Sequence, residues 1–143
     1  MMLSRYFSLQ EMTTSNYALS HGLDNTPDDA MVLKLTDTAK KMDKVRRLLG
    51  VPVIVLSGYR SALVNMGVGS KSTSQHLKGE AVDFKTHKYN PREIVQKIID
   101  SSIEFDQLIL EYDAWVHISF KHLAKNNRKQ VLIIDKKGTR SFK

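Results

Sequence analysis

Residues 73–84 read TSQHLKGEAVDF, and this stretch joins two potential metal ligands to the start of a strand. His76 and Asp83 are seven residues apart, with Gly79 between them. The closing EAVDF alternates in polarity as a half-buried strand does, which places Val82 and Asp83 on opposite faces. Two interpretations stay open at this point. The stretch is either half of a metal site or an ordinary turn that leads into an ordinary strand.

A second predicted strand offers another histidine. Residues 104–120, EFDQLILEYDAWVHISF, are typical of two strands joined by a tight hairpin. In the second of these strands His117 alternates with apolar residues, so it lies on the face opposite to them. Neighbouring strands would then present Asp83 and His117 on a shared face, and His76 can fold back from the preceding loop. Two imidazoles and one carboxylate form the three-ligand set of a catalytic zinc site, which keeps one position for water.

The remaining pattern predicts an α+β fold, with a small antiparallel sheet and flanking helices. Capping signals predict helices that begin at Ser8, at Thr26-Pro27 and at Asn90-Pro91. They should run to about Ser20, Gly50 and Ser101, respectively. Further strands are predicted at 51–57, which should be buried, and at 130–135. Residues 58–79 form a long polar loop with one helical turn near 61–66, and loops of this length are often functional. Few strands without a regular βαβ repeat favour α+β.

Length and composition limit the class of protein. A chain of 143 residues suits a single domain over 1–143, and its 41% hydrophobic content is that of a globular protein. No apolar run reaches the ~18 residues of a membrane span, and the N-terminus lacks the apolar region of a secretory signal. We therefore expect synthesis in the cytoplasm and a monomer without a membrane span. Because there is no cysteine, a metal site must use His, Asp and Glu.

The net charge of +7 is concentrated in residues 121–143. Residues 1–120 hold 14 basic and 14 acidic residues, whereas the last 23 hold eight basic residues and Asp135 alone. This basic C-terminal segment would attract a polyanion such as an anionic cell wall, or it simply keeps the protein soluble. Nucleic acid is not expected as a partner, because only Phe142 is available there to stack on bases.

Three motifs in order resemble the zinc D-Ala-D-Ala carboxypeptidase family. They are SGYRS at 57–61, S-x-H-x-x-G-x-A-x-D at 74–83 and W-V-H at 115–117. This family includes phage endolysins and shares its fold with the hedgehog signalling domain. The SGYRS motif and the FSLQEM…NTP opening resemble the phage and prophage branch in particular. The resemblance extends from about Phe7 to Phe120.

The resemblance implies roles for individual residues. His76, Asp83 and His117 match the family's zinc ligands, which implies one Zn²⁺ ion as cofactor. Arg60 matches an arginine that holds a substrate carboxylate or carbonyl, a task that suits a guanidinium fork. Ser74 matches the motif serine, which contacts substrate or simply forms a turn. Trp115, two residues before His117 on the same face, is predicted to line the substrate pocket. Tyr59 either lines the pocket as well or packs against the core.

The general base is less clear, because several family members place an acid where this chain has Ala114. The two candidates are Glu111 and Asp113. If residues 112–114 form a three-residue loop, Glu111 lies opposite Trp115 and on the face of His117. A two-residue loop would turn Glu111 towards the core, where an unpaired carboxylate is unfavourable. We therefore predict Glu111 as the base, with Asp113 in reserve.

The function that this resemblance implies is zinc-dependent hydrolysis of peptidoglycan stem peptides, by a D,D-carboxypeptidase or an endopeptidase. It would serve cell-wall lysis or remodelling of phage or prophage origin. The enzyme would be made in the bacterial host's cytoplasm and would act at the wall after release or as a virion component. The alternative is a non-catalytic cell-wall-binding module of the same fold, which the missing acid at Ala114 favours. A nucleic-acid-binding protein is a third possibility.

Overall fold

The computed structural model describes residues 1–142. The helices are α1 (Leu9–Thr13), α2 (Asn16–His21), α3 (Asp29–Leu49), α4 (Ala62–Gly67) and α5 (Pro91–Ile99). The strands are β1 (Ile54–Ser57), β2 (Ala81–Lys85), β3 (Gln107–Glu111), β4 (Trp115–Ser119), β5 (Gln130–Asp135) and β6 (Gly138–Ser141). The predicted α+β fold is confirmed: helices flank one six-stranded sheet.

The sheet has the order β1-β2-β4-β3-β5-β6. All neighbouring pairs are antiparallel except β3 and β5, which are parallel. The chain reverses direction after β4 and passes over β3 to reach its other edge, so β5 runs in the direction of β3. The sheet is thus antiparallel, as predicted, except for the one parallel pair of β3 and β5.

Two helix boundaries differ from the prediction. The first helix is divided in two, because the Ser15 side chain accepts a hydrogen bond from the Ala18 amide and so caps a new helix. The long helix begins at Asp29, since Asp28 rather than Thr26 is its N-cap. The predicted capping boxes at Ser8 and Asn90 are both present.

Two strands also differ from the prediction. The segment 51–57 was expected to be a buried strand, but only Ile54–Ser57 pairs, and it forms a partly exposed edge of the sheet. The other edge is β6, which the sequence did not predict. All four residues of β6 are exposed and its first is Gly138, so it shows no apolar alternation to detect.

The hydrophobic core lies between one face of the sheet and the helices α1, α3 and α5. The sheet contributes the residues predicted for its apolar face, which are Val82, Phe84, Val116, Ile118 and Phe120. Within residues 1–142 no helix is both long enough and apolar enough to cross a membrane. The opposite face of the sheet remains free to carry polar side chains, including Asp83 and His117.

An ion pair with a buried carboxylate attaches part of the basic C-terminal segment to the sheet. Asp106 is fully buried at the start of β3, and it accepts hydrogen bonds from the backbone and guanidinium of Arg128, the shortest at 2.6 Å. Burial alone would raise the pKa of Asp106, but these hydrogen bonds outweigh it and hold the pKa below its ordinary value. Arg128 also reaches Gln75, the residue before His76, at 3.4 Å.

We predict that Asp106→Ala lowers the free energy of unfolding by about 2–3 kcal/mol, because it removes several charge-assisted hydrogen bonds. Arg128 is half exposed, so water can hydrate its guanidinium once Asp106 is removed. The loss of stability is therefore smaller than when a fully buried charge is left without a partner. A carboxyl with a lowered native pKa stabilises the fold above its unfolded pKa of about 3.9 and loses that effect as pH falls. Urea unfolding between pH 2 and 7 measures both effects.

The matched control is Asp100→Ala at an exposed helix end, which we expect to change stability by at most about 0.5 kcal/mol. The difference between the wild type and Asp106→Ala should shrink below pH 4. A difference that stays constant down to pH 2 would show that the carboxylate charge is not what stabilises the pair.

Candidate metal centre and catalytic groups

The three predicted metal ligands converge on the face of the sheet opposite to the core. Asp83 of β2 and His117 of β4 are direct cross-strand partners, and His76 reaches them from the preceding loop. Each offers one ligand atom, and these atoms all lie within 4.8 Å of one another. All three side chains are buried. The strand parity read from the sequence therefore placed Asp83 and His117 correctly.

Asp83 lies between the two imidazoles. Its Oδ1 is 2.9 Å from His117 Nδ1, and its Oδ2 is 3.2 Å from His76 Nε2. Burial alone would raise the pKa of Asp83, but the two histidines outweigh it and hold the pKa far below its ordinary value. The carboxylate is therefore charged at neutral pH, which is the form that binds a metal.

The orientation of His76 is set by a backbone carbonyl. Its Nδ1 is 2.7 Å from the carbonyl oxygen of Gly58, which can only accept a hydrogen bond, so Nδ1 carries the proton. A neutral His76 then directs the lone pair of Nε2 towards Asp83 Oδ2. Two acceptors 3.2 Å apart repel each other unless a proton or a cation lies between them. A carbonyl that fixes the imidazole tautomer is also the usual support of a histidine metal ligand.

Only glycine fits at position 58. A Cβ there would lie 2.4 Å from the backbone oxygen of Met12, which cannot move aside as a side chain can. The close approach lets β1 lead directly into the loop of Tyr59 and Arg60, whose amides bind the carbonyls of Met12 and His76. This requirement was missed in the sequence, although the glycine of the SGYRS motif was its signal.

We predict that Gly58→Ala lowers the free energy of unfolding by about 2–4 kcal/mol through this clash. Because the shift also moves the carbonyl that orients His76, metal affinity should fall by a factor of about 10–100. Chemical denaturation and metal titration against a competing chelator measure the two effects separately.

Gly22→Ala is the control for general destabilisation. Gly22 has a positive φ of 64° but open space around its Cβ position, so alanine there should cost about 1 kcal/mol without changing metal affinity. Equal metal affinity in Gly58→Ala and the wild type would contradict the orienting role of the Gly58 carbonyl.

Glu111 faces the three ligands. It pairs with Trp115 across a three-residue turn in which Tyr112 and Asp113 adopt φ of 56° and 51°. This is the register that the three-residue loop required, and it puts Glu111 on the face of His117. Its Oε1 lies 3.9 Å from His117 Nδ1. The structure therefore brings Glu111, and not Asp113, to the metal ligands.

The environment of Glu111 raises the pKa of its carboxyl above the ordinary value. Burial and the charge of Asp83 raise the pKa of Glu111, while His117, Trp115 and Arg60 offset part of this rise. The indole Nε1 of Trp115 is buried and has no hydrogen-bond partner in the described part of the chain. This N–H favours the charged form of Glu111 and is free to donate to it.

Arg60 completes the polar cluster. Its guanidinium lies 3.6 Å from Asp83 Oδ2, and its Nε donates to the Ser57 hydroxyl. Burial lowers the pKa of Arg60, while the charges of Asp83 and Glu111 raise it, and an arginine remains charged in either case. The cluster thus joins a fixed cation to two carboxylates and two imidazoles.

The other predicted site residues lie further out. Asp113 is exposed in the turn and pairs with Arg92 at 3.3 Å. Tyr59 packs against the edge of the hydrophobic core, and burial followed by the charges of nearby acids raises its pKa. The Ser74 hydroxyl accepts a hydrogen bond from the His76 amide, and Ser74 also lines a groove beside His117.

The donor set fits a zinc ion. Zinc is commonly held by imidazole nitrogen and carboxylate oxygen, and three protein ligands leave a position open in its catalytic sites. His76, Asp83 and His117 provide these atoms in a buried cluster, and a cation would relieve the repulsion between His76 Nε2 and Asp83 Oδ2 as a proton would. The same three residues could hold another divalent metal of similar preference.

Comparison with known proteins supports the same conclusion. The family model described as Peptidase M15 matches residues 5–119, which is most of the chain and includes every residue of the cluster. No curated protein matches the chain. The family is one of zinc-dependent peptidases, and the fold and the His-Asp-His group agree with it. The chain therefore belongs to the peptidase M15 family of metallopeptidases.

Proposed function

We propose that this protein is a zinc peptidase that hydrolyses peptidoglycan stem peptides. The observation that carries the proposal is Glu111 beside the buried His76, Asp83 and His117 group, with Arg60 at its edge. A zinc ion, when bound by this group, supplies a Lewis acid that acidifies water and polarises a carbonyl.

Residues of the chain itself would transfer the proton, position the base and bind the substrate. Glu111 accepts a proton from the attacking water and returns it to the leaving amine, a role that its raised pKa favours. The buried N–H of Trp115, which has no partner within residues 1–142, is available to donate to the ionised Glu111 and so to position the carboxylate. Arg60 binds a substrate carboxylate or carbonyl through its guanidinium, which also balances negative charge that develops on the scissile carbonyl oxygen.

The position of Glu111 also bears on the alternative of a non-catalytic wall-binding module. That alternative rested on the missing acid at Ala114. Glu111 reaches the same face from the first strand of the hairpin, which supports catalysis over binding alone. If the metal-loaded protein binds peptidoglycan without cleaving it, the protein is a non-catalytic wall-binding module.

The test is incubation of the protein with purified peptidoglycan, with and without a chelator, followed by mass analysis of the products. A D,D-carboxypeptidase releases one terminal D-Ala, and an endopeptidase cleaves within the stem or a cross-link. Unchanged peptidoglycan in the presence of added zinc would overturn the proposal.

We further propose a phage or prophage role in lysis or remodelling of the wall, with the enzyme acting as a monomer. The SGYRS motif and the opening of the chain support this origin, and the basic segment 121–143 would hold the protein on the anionic wall. Permeabilised bacteria provide the test, since cleavage of cross-links lowers turbidity whereas removal of terminal D-Ala does not. Turbidity that stays constant would contradict a lytic role and would limit the enzyme to removing terminal D-Ala from stem peptides.

A further inference from the structure

A groove of about 1020 Å³ lies beside His117 and extends away from the metal ligands. Its floor is apolar and consists of Ile109, Leu132 and Ile134 on the face of the sheet that carries the site. One wall is the loop 70–78 and the other is the segment 121–128. The groove is therefore positioned to hold the part of a substrate that extends from the scissile bond.

The charged residues that line the groove are all lysine or arginine. Lys71, Lys78, Lys121 and Arg128 line it, and no aspartate or glutamate does. Arg128 is neutralised by the buried Asp106. The three lysines form no ion pair with any carboxylate of residues 1–142, and they come from both walls. Uncompensated cations that face one cleft create a potential that attracts an anionic ligand.

We propose that this groove selects peptides that carry free carboxylates outside the scissile bond. The inference rests on the proposed peptidase function and names a feature of its substrate. Stem peptides carry such carboxylates either free or as amides, and the groove discriminates between the two forms by charge. The apolar floor accommodates the methyl groups of alanine residues, while the lysines bind the carboxylates on either side.

Lysine is suited to this selection. An ammonium group acts as a flexible point charge, so it recognises a carboxylate without demanding one fixed geometry. The preference should therefore depend on the number of free carboxylates more than on their exact spacing. It should also weaken with salt, because the lysines lie close to solvent.

A nucleic acid is the less favoured anion for this groove. Proteins that bind single strands combine positive charge with aromatic side chains on which the bases stack. No Trp, Tyr or Phe lines the groove. Binding of a short oligonucleotide as tight as that of the free-carboxylate peptide would overturn the proposed selectivity.

The test compares two synthetic stem peptides that are identical except that the side carboxylates of one are amidated. Cleavage by the zinc-loaded protein is measured as kcat/KM, and binding to Glu111→Gln is measured by calorimetry. We expect the free-carboxylate peptide to be favoured about tenfold in both measurements. The combined Lys71, Lys78 and Lys121→Gln variant should lose this preference.

The control replaces three exposed lysines that do not line the groove, Lys40, Lys85 and Lys136, by glutamine. It changes the net charge equally and should retain the preference. Cleavage that is indifferent to amidation and to the groove variant would overturn the inference and leave the peptidase function intact.

The two proposals can also fail in other combinations. Charge-selective binding that is lost in the groove variant, without any cleavage, would support the groove and overturn the peptidase function. Neither binding nor cleavage would overturn both.

Discussion

Replacing Glu111 by glutamine is expected to lower kcat by a factor of about 10² to 10⁴, because a positioned general base contributes this much to a hydrolytic step. The amide has nearly the same shape but cannot accept the proton. Glu111 lies outside the three-ligand group, so the variant should retain its metal. Steady-state kinetics on a stem peptide, with metal analysis of the same sample, measures both properties.

Asp113→Asn is the companion variant, since this acid was the reserve candidate. Its carboxylate is exposed and pairs with Arg92, so we expect kcat to stay within about twofold of the wild type. If Asp113→Asn loses activity while Glu111→Gln remains active, then Asp113 rather than Glu111 is the general base.

Trp115→Phe tests how Glu111 is positioned. The indole N–H favours the charged carboxylate, so its removal should raise the pKa of Glu111. The acidic limb of the kcat/KM profile should then move to higher pH, because the base is protonated over a wider range. An unchanged profile would mean that Trp115 only packs against the site.

Replacing Asp83 by asparagine is expected to abolish both stoichiometric metal binding and activity. The change keeps the size of the side chain but removes the negative charge that lies between His76 and His117. Metal analysis after dialysis should show one zinc ion per wild-type chain and much less in the variant. Hydrolysis of stem peptides should be lost in parallel.

Thermal unfolding gives a second measure that does not depend on activity. Zinc at 100 times its Kd should stabilise the wild type by about 2.7 kcal/mol, since it binds only the folded protein. The exposed variant Asp100→Asn should respond to zinc like the wild type, whereas Asp83→Asn should not. A full zinc response in Asp83→Asn would remove this residue from the ligand set.

Local sequence signals predicted most of the scaffold correctly. The caps at Ser8 and Asn90 and the helix end at Gly50 depend on hydrogen bonds and backbone angles within a few residues. The two faces of β2 and β4 follow from the period of a strand, which is also local. One prediction failed at Ser15, where a second capping residue inside the predicted helix begins a new one. Another failed at β1, whose exposure depends on its position at the edge of the sheet.

Only part of the site could be predicted from the sequence. Strand parity placed Asp83 and His117 on one face, and the register of the hairpin placed Glu111 with them, because both depend on short-range geometry. The contact of Gly58 with Met12 and the hydrogen bond from His76 to Gly58 join segments that are distant in the chain. No spacing within a motif reports such contacts.

The sequence by itself determined the family, the ligand types and the faces on which they lie, because these follow from residue identity and strand period. Only the tertiary structure decided how His76 is oriented, through the hydrogen bond between its Nδ1 and the Gly58 carbonyl. It also decided that the basic C-terminal segment contributes two strands, β5 and β6, and one wall of the groove. Those features depend on which distant segments pack together, and packing is settled by the whole fold rather than by any one stretch of it.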